Sequence, residues 1–152
     1  MIEIAAMRMS RRALLLGALA LAACGEAVAA QTIAVAKTPA CGCCTQWVEH
    51  LRAAGFVVEV TDMDDVTPVA RRLGVPDDLR GCHTASVGGY AVEGHVPAAD
   101  IRRLLTERPD AAGIAVPGMP VGSPGMEQGA MRQRYQTIIF ARDGRRAVFA
   151  SH

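Results

Sequence analysis

The chain has 152 residues, with 16 Lys or Arg against 15 Asp or Glu, and 51% of it is hydrophobic. That length bounds it to one domain plus a targeting segment. Setting aside the three arginines and two glutamates of residues 1–30 leaves a formally neutral remainder; with no run of basic residues and only 4% aromatics, it offers nucleic acid neither a charged face nor a stacking platform.

Residues 1–30 read as a signal peptide. Arg8, Arg11 and Arg12 form a basic start, and residues 13–23 an apolar stretch too short for a membrane span. Two exits are open. Leu21-Ala22-Ala23-Cys24 resembles a lipobox, in which Cys24 carries lipid and becomes the first residue. Val28-Ala29-Ala30 before Gln31 resembles an ordinary signal-peptidase site. Ser10-Arg11-Arg12 has the look of a twin-arginine signal, although two arginines in a basic start explain it as well. Each option exports the chain. The expectation is a periplasmic domain over residues 31–152, touching a membrane only if Cys24 is lipidated.

Thr32–Ala36 predicts a short buried strand. After the turn Lys37-Thr38-Pro39-Ala40 comes Cys41-Gly42-Cys43-Cys44, and a helix should follow, with Trp47, Val48, Leu51 and Ala54 on one face and Gly55 at its end. Phe56–Thr61 is the second strand. Asp64 or Asp65 caps a second helix carrying Val66, Val69, Ala70 and Leu73, stopped by Gly74. Residues 76–81 form a polar loop. Thr84–Val87 and Tyr90–Glu93 flank Gly88-Gly89 as a hairpin. Pro97 opens a third helix bearing Ile101, Leu104 and Leu105. Residues 115–126 are rich in Gly, Pro and Met and predict irregular chain. Gln136–Ala141 and Ala147–Phe149 predict a last hairpin turning at Asp143-Gly144. The predicted fold class is α/β: a thioredoxin-like order of strand, helix, strand, helix, hairpin and helix, followed by a Gly/Pro/Met loop and a C-terminal β-hairpin.

The cysteines carry the chemistry. Of five, Cys24 belongs to the leader, leaving Cys41, Cys43, Cys44 and Cys82 in the domain. Cys41 and Cys44 have the C-x-x-C spacing of a redox pair. Cys43 adds a third sulfur, and three clustered thiolates suit a soft metal. A helix N-terminus at this point lowers thiol pKa values, which serves both chemistries. Structural disulfides are the plainer reading of cysteines in an exported domain. On the predicted topology Cys82-His83 faces the first helix's N-terminus, at a position where redox members of that fold hold a cis-proline and this chain has none. His95 lies at a strand end just before the third helix. Met119 and Met126 lie in the irregular loop, and their thioethers suit Cu(I). Trp47, Tyr90 and Tyr135 read as core, and His50 as a solvated helix flank.

Four runs in order resemble a bacterial family of small exported metal-binding proteins. They are Ala40–Trp47, Gly81–Ala85, Gly89–Pro97 and Pro117–Glu127. The family was long known as a domain of unknown function and includes the CopG-type copper-resistance proteins. The resemblance spans residues 32–150. It implies a thioredoxin-like fold, a periplasmic location, a role in copper tolerance and a thiolate-rich copper site. Carried over by position, it names Cys41, Cys43, Cys44 and Cys82, with His83, His95, Met119 and Met126 matching family motifs.

The expected function is a periplasmic copper-binding protein whose clustered thiolates hold Cu(I). Three thiols so close do not all point easily at one ion, which suggests several ions sharing sulfurs. Its expected partners are copper ions and other periplasmic copper-handling proteins. Two rivals remain: a thiol–disulfide oxidoreductase using Cys41 and Cys44, and a zinc-stabilised module with four cysteines.

Overall fold

Seven strands form one mixed sheet in the order β2-β1-β3-β4-β5-β6-β7. The computed structural model describes residues 31–152, so the predicted signal peptide and Cys24 lie outside the described residues. The elements are β1 (Thr32–Lys37), α1 (Gly42–Ala53), β2 (Val57–Asp62), α2 (Thr67–Leu73), β3 (His83–Val87), β4 (Tyr90–Gly94), α3 (Ala98–Glu107), β5 (Gly113–Val116), β6 (Gln136–Phe140) and β7 (Arg146–Ser151). The predicted order through α3 is present.

β1 runs parallel to β2 and antiparallel to β3, and β3 is antiparallel to β4. The parallel pair needs a crossover, which α1 supplies. Its apolar stripe, Trp47, Val48 and Leu51, is buried, as the spacing predicts. Gly55 ends that helix at φ 88°, where glycine alone meets no steric penalty. At the start of α2 the Asp65 carboxylate accepts the Thr67 N–H at 2.8 Å. That contact is a turn just before the helix: the N-cap of α2 is Val66, without a side-chain cap hydrogen bond, so neither Asp64 nor Asp65 caps it as expected.

The sheet separates two apolar layers. Ile33, Val35, Val92 and Ile114 pack with α1 and α3 through Trp47, Leu51, Ile101 and Leu104. Ala91, Ala115 and Phe140 pack with Ala70 of α2, Val75 and Leu79 on the other face. Ala91 and Val92, like Ala115 and Ile114, point to opposite layers, as strand alternation requires.

One expectation needs correction. Residues 115–126 do not form irregular chain throughout: β5 reaches Val116 and pairs in parallel with β4, Ala91 opposite Gly113 and Gly94 opposite Val116. Four residues hemmed by glycine and proline give too short a pattern to read as a strand. Gly113 allows the close pairing, because a Cβ there would stand 2.2 Å from the Ala91 carbonyl oxygen. Beyond β5, a docked loop leads to the predicted C-terminal hairpin, β6–β7.

Candidate metal centre

α1 begins at the cysteine run. Cys41 is its N-cap, and the Cys44 N–H points at Cys41 Sγ across 3.4 Å. Cys41 and Cys43 are half-buried, whereas Cys44 turns into the core and has no exposed surface. The antiparallel pairing of β3 with β1 sets Lys37 opposite His83, so Cys82, one residue earlier, arrives beside the start of α1. The four sulfurs lie within 4.8 Å of one another. Cys82 Sγ stands 3.2 Å from Cys44 Sγ and 3.8 Å from Cys43 Sγ, and Cys43 Sγ is 3.5 Å from Cys41 Sγ.

Cys41 and Cys44 are disulfide-bonded, with their Cα atoms 5.3 Å apart, and Cys43 and Cys82 are free thiols. The structure is therefore the oxidised form of the cluster. All four sulfurs become thiol or thiolate donors only after two electrons reduce that bond.

A second close group, Cys82, His83 and His95, shares Cys82 with the first. Both imidazoles have one nitrogen assigned by its partner. His83 Nε2 lies 3.0 Å from the Gly94 carbonyl oxygen, and His95 Nδ1 lies 2.8 Å from that of Pro124. A carbonyl only accepts, so these nitrogens carry the protons. The lone pairs then sit on His83 Nδ1 and His95 Nε2, at 3.6 and 3.7 Å from Cys82 Sγ. Each ring is anchored by one nitrogen and presents the other to the sulfur, as metal-ligating histidines do.

Burial sets the protonation states. It lowers the His83 pKa to about 3, helped by neighbouring His95. It also lowers the His95 pKa, against the pull of the Pro124 carbonyl. Both rings are neutral at neutral pH, with lone pairs available. Burial, and next the Cys43 thiol beside it, pushes Cys82 up to about 12, so an incoming metal must displace its proton.

The His83 shift fixes a pH dependence. Unfolded, this histidine binds a proton below about 6.5; folded, it does so only below about 3. The unfolded state thus binds more protons between those values, and stability falls as pH falls through that window. The copper-free wild type is expected to lose stability at up to about 1.4 kcal/mol per pH unit there, and His83→Gln should flatten the slope. Urea midpoints from pH 7 to pH 4 measure it, and equal slopes in both proteins would contradict it.

Several contributors were not legible in the sequence. Trp47 packs against the histidine group as a wedge: its ring lies 4.3 Å from that of His83, and its indole N–H donates to the Val96 carbonyl at 2.9 Å. Glu93, with no exposed surface, accepts the Gly81 N–H at 2.7 Å and so holds the segment that delivers Cys82. Gly125, at φ 83°, lets the late loop lie on α1, since a Cβ there would stand 2.7 Å from the Cys43 oxygen and 2.8 Å from the Trp47 nitrogen. His50 is not simply a solvated flank, because its Nε2 accepts the Ala98 N–H at the start of α3 across 3.1 Å. Its signal was the six-residue step from Cys44, which only the packing of α1 on α3 turns into a contact.

The two expected methionines differ. Met126 is half-buried and directly follows Gly125. Met119 is 44% exposed, at a turn with φ 47°. A groove of about 640 Å³ lies elsewhere, along Pro117, Pro120, Tyr135 and His152. The four sulfurs, within 4.8 Å of one another, are spaced closely enough to share an ion.

A family model described as "Protein of unknown function, DUF411" matches residues 79–126. Two solved structures of a copper resistance protein, CopG in form 1 and form 2, are 49% and 48% identical to this chain. Each superposes with a TM-score of 0.76 over 80% of this chain, covering 96% and 98% of its own length. The curated proteins contain no match.

Proposed function

This chain belongs to the DUF411 family of CopG-type copper resistance proteins, and from that premise we propose that it is a periplasmic copper-binding protein of copper tolerance, holding Cu(I) on Cys41, Cys43, Cys44 and Cys82. The observation that carries this reading is the convergence of four sulfurs within 4.8 Å. Thiolates are soft donors that prefer Cu(I). The adjoining Cys82, His83 and His95 form a His₂Cys set, the donor set of copper centres that exchange electrons. A soft set and a mixed set sharing one sulfur suit a metal with two accessible oxidation states, and several ions bridged by shared thiolates, better than they suit zinc. Met126 follows Gly125, whose backbone lies against Cys43, and is the thioether we assign as a further donor.

The first seven elements support a thioredoxin-like frame, since β2-β1-β3-β4 with β3 antiparallel to β1 is the sheet order that fold requires. Periplasmic location rests on the leader in residues 1–30, as does the alternative of a lipid anchor at Cys24. Copper-handling proteins of the same compartment are the proposed partners.

Anaerobic titration of the reduced mature chain with Cu(I), against a chromophoric chelator, tests the proposal. At least one tightly held ion per chain is expected, with weaker binding in Cys43→Ser. Binding below one ion, or unchanged in that variant, would end it. The Cys41–Cys44 disulfide favours a second reading, a thiol–disulfide oxidoreductase. Insulin reduction that persists in Cys43→Ser would favour that reading instead.

A further inference from the structure

The disulfide sits between two sulfurs in unlike surroundings. Cys44 has no exposed surface, so a thiol from outside does not reach its sulfur. Cys82 Sγ already does, at 3.2 Å. On the other side of the bond, Cys41 caps α1 and faces the Cys44 N–H. Free N–H groups at a helix N-terminus stabilise a thiolate, which makes Cys41 the better leaving group. The alternative attack, by Cys43 on Cys41 at 3.5 Å, would expel Cys44 as a thiolate into the core and is disfavoured.

We propose that Cys82 is an internal nucleophile that moves the disulfide inward, from Cys41–Cys44 to Cys44–Cys82, and thereby frees Cys41 and Cys43 as a half-exposed dithiol for a soft cation. The step is balanced. Cys82 loses its proton and its sulfur attacks Cys44 Sγ. The Cys44–Cys82 bond forms as the Cys41–Cys44 bond breaks, and Cys41 leaves with the electron pair and takes up a proton. One disulfide and two thiols stand on each side, so no oxidant or reductant is needed. The product sets two free sulfurs, 3.5 Å apart in the starting form, at the outer end of α1. A chain that remains oxidised then keeps a capture site for Cu(I). The exchange is slow while Cys82 keeps its proton, and a cation bound to the freed pair draws it forward by mass action. Only the identity of that cation rests on the copper reading; the exchange does not.

The oxidised mature chain, without reductant, is the material for the test. Trypsin cuts after Arg52 and Arg80, so Cys41–Cys44 stays within one peptide while Cys44–Cys82 links two. In a metal-free arm, slow alkylation with iodoacetamide should place label on Cys41 together with the linked peptide pair. In a second arm, anaerobic Cu(I) followed by acid quench and alkylation should raise the linked fraction about tenfold or more, with two free thiols per chain throughout. Labels confined to Cys43 and Cys82 in the metal-free arm overturn the proposal, whether or not Cu(I) binds. A linked pair with no free thiols reports oxidation rather than exchange and also overturns it. Cys82→Ser should leave both Cys41 and Cys44 unlabelled; label on Cys44 would show Cys43 attacking Cys41, label on Cys41 would show the bond opening without Cys82, and either overturns the proposal.

Discussion

Cys82→Ser is expected to lower the affinity of the reduced protein for Cu(I) by at least about a hundredfold, since even partners behind a ligand cost about 10–100-fold when removed. The reason is placement. Cys82 belongs to both close groups, so its loss removes a sulfur from the four-sulfur set and the only sulfur from the set with His83 and His95. Cys41 belongs to one group alone, so Cys41→Ser should cost less. Competition against a Cu(I) chelator under anaerobic conditions measures both. If Cys41→Ser costs as much as Cys82→Ser or more, Cys82 does not join the two groups. Serine keeps the side chain's volume nearly constant, and folding can be checked separately by far-ultraviolet circular dichroism.

Trp47→Ala carries the second large effect. The side chain is fully buried among the core residues that join α1, α3 and the sheet. Removing so large a buried ring is expected to cost about 3–5 kcal/mol. Trp47→Phe separates the contributions: it keeps an aromatic ring and removes the N–H that satisfies the Val96 carbonyl, at an expected cost of about 1–3 kcal/mol. Urea unfolding of the copper-free protein reads both losses. A cost below about 1 kcal/mol for alanine would mean that the core collapses around the gap and that the wedge against His83 is dispensable.

The first two thirds of the fold was legible because its signals are local. Glycines past helix ends, an aspartate before α2, Gly88-Gly89 between two apolar runs and Pro97 before α3 each act within a few residues. β5 was not legible, since a four-residue strand takes its identity from β4 rather than from its own pattern. The candidate site divides in the same way. Cys41, Cys43 and Cys44 announce themselves by spacing, and Cys82-His83 follows from strand order. What the sequence hides is which nitrogen of each histidine is free, because that depends on the Gly94 and Pro124 carbonyls. Pro124 lies 29 residues past His95, and no spacing rule joins them. The roles of Glu93, Gly125 and His50 were hidden for the same reason.

The register of β1 against β3 has a consequence for biogenesis. Cys41 and Cys44 are three residues apart, and an oxidising compartment can close that small ring in a chain that has not yet folded. Cys82 lies 38 residues beyond Cys44 and reaches it only when β3 docks on β1 with His83 opposite Lys37. A slip of one residue would send alternate side chains to the other face of the sheet and carry the fourth sulfur away. The complete donor set thus forms only in a correctly paired chain, so the fourth sulfur records strand registry while the first three are set by local sequence alone.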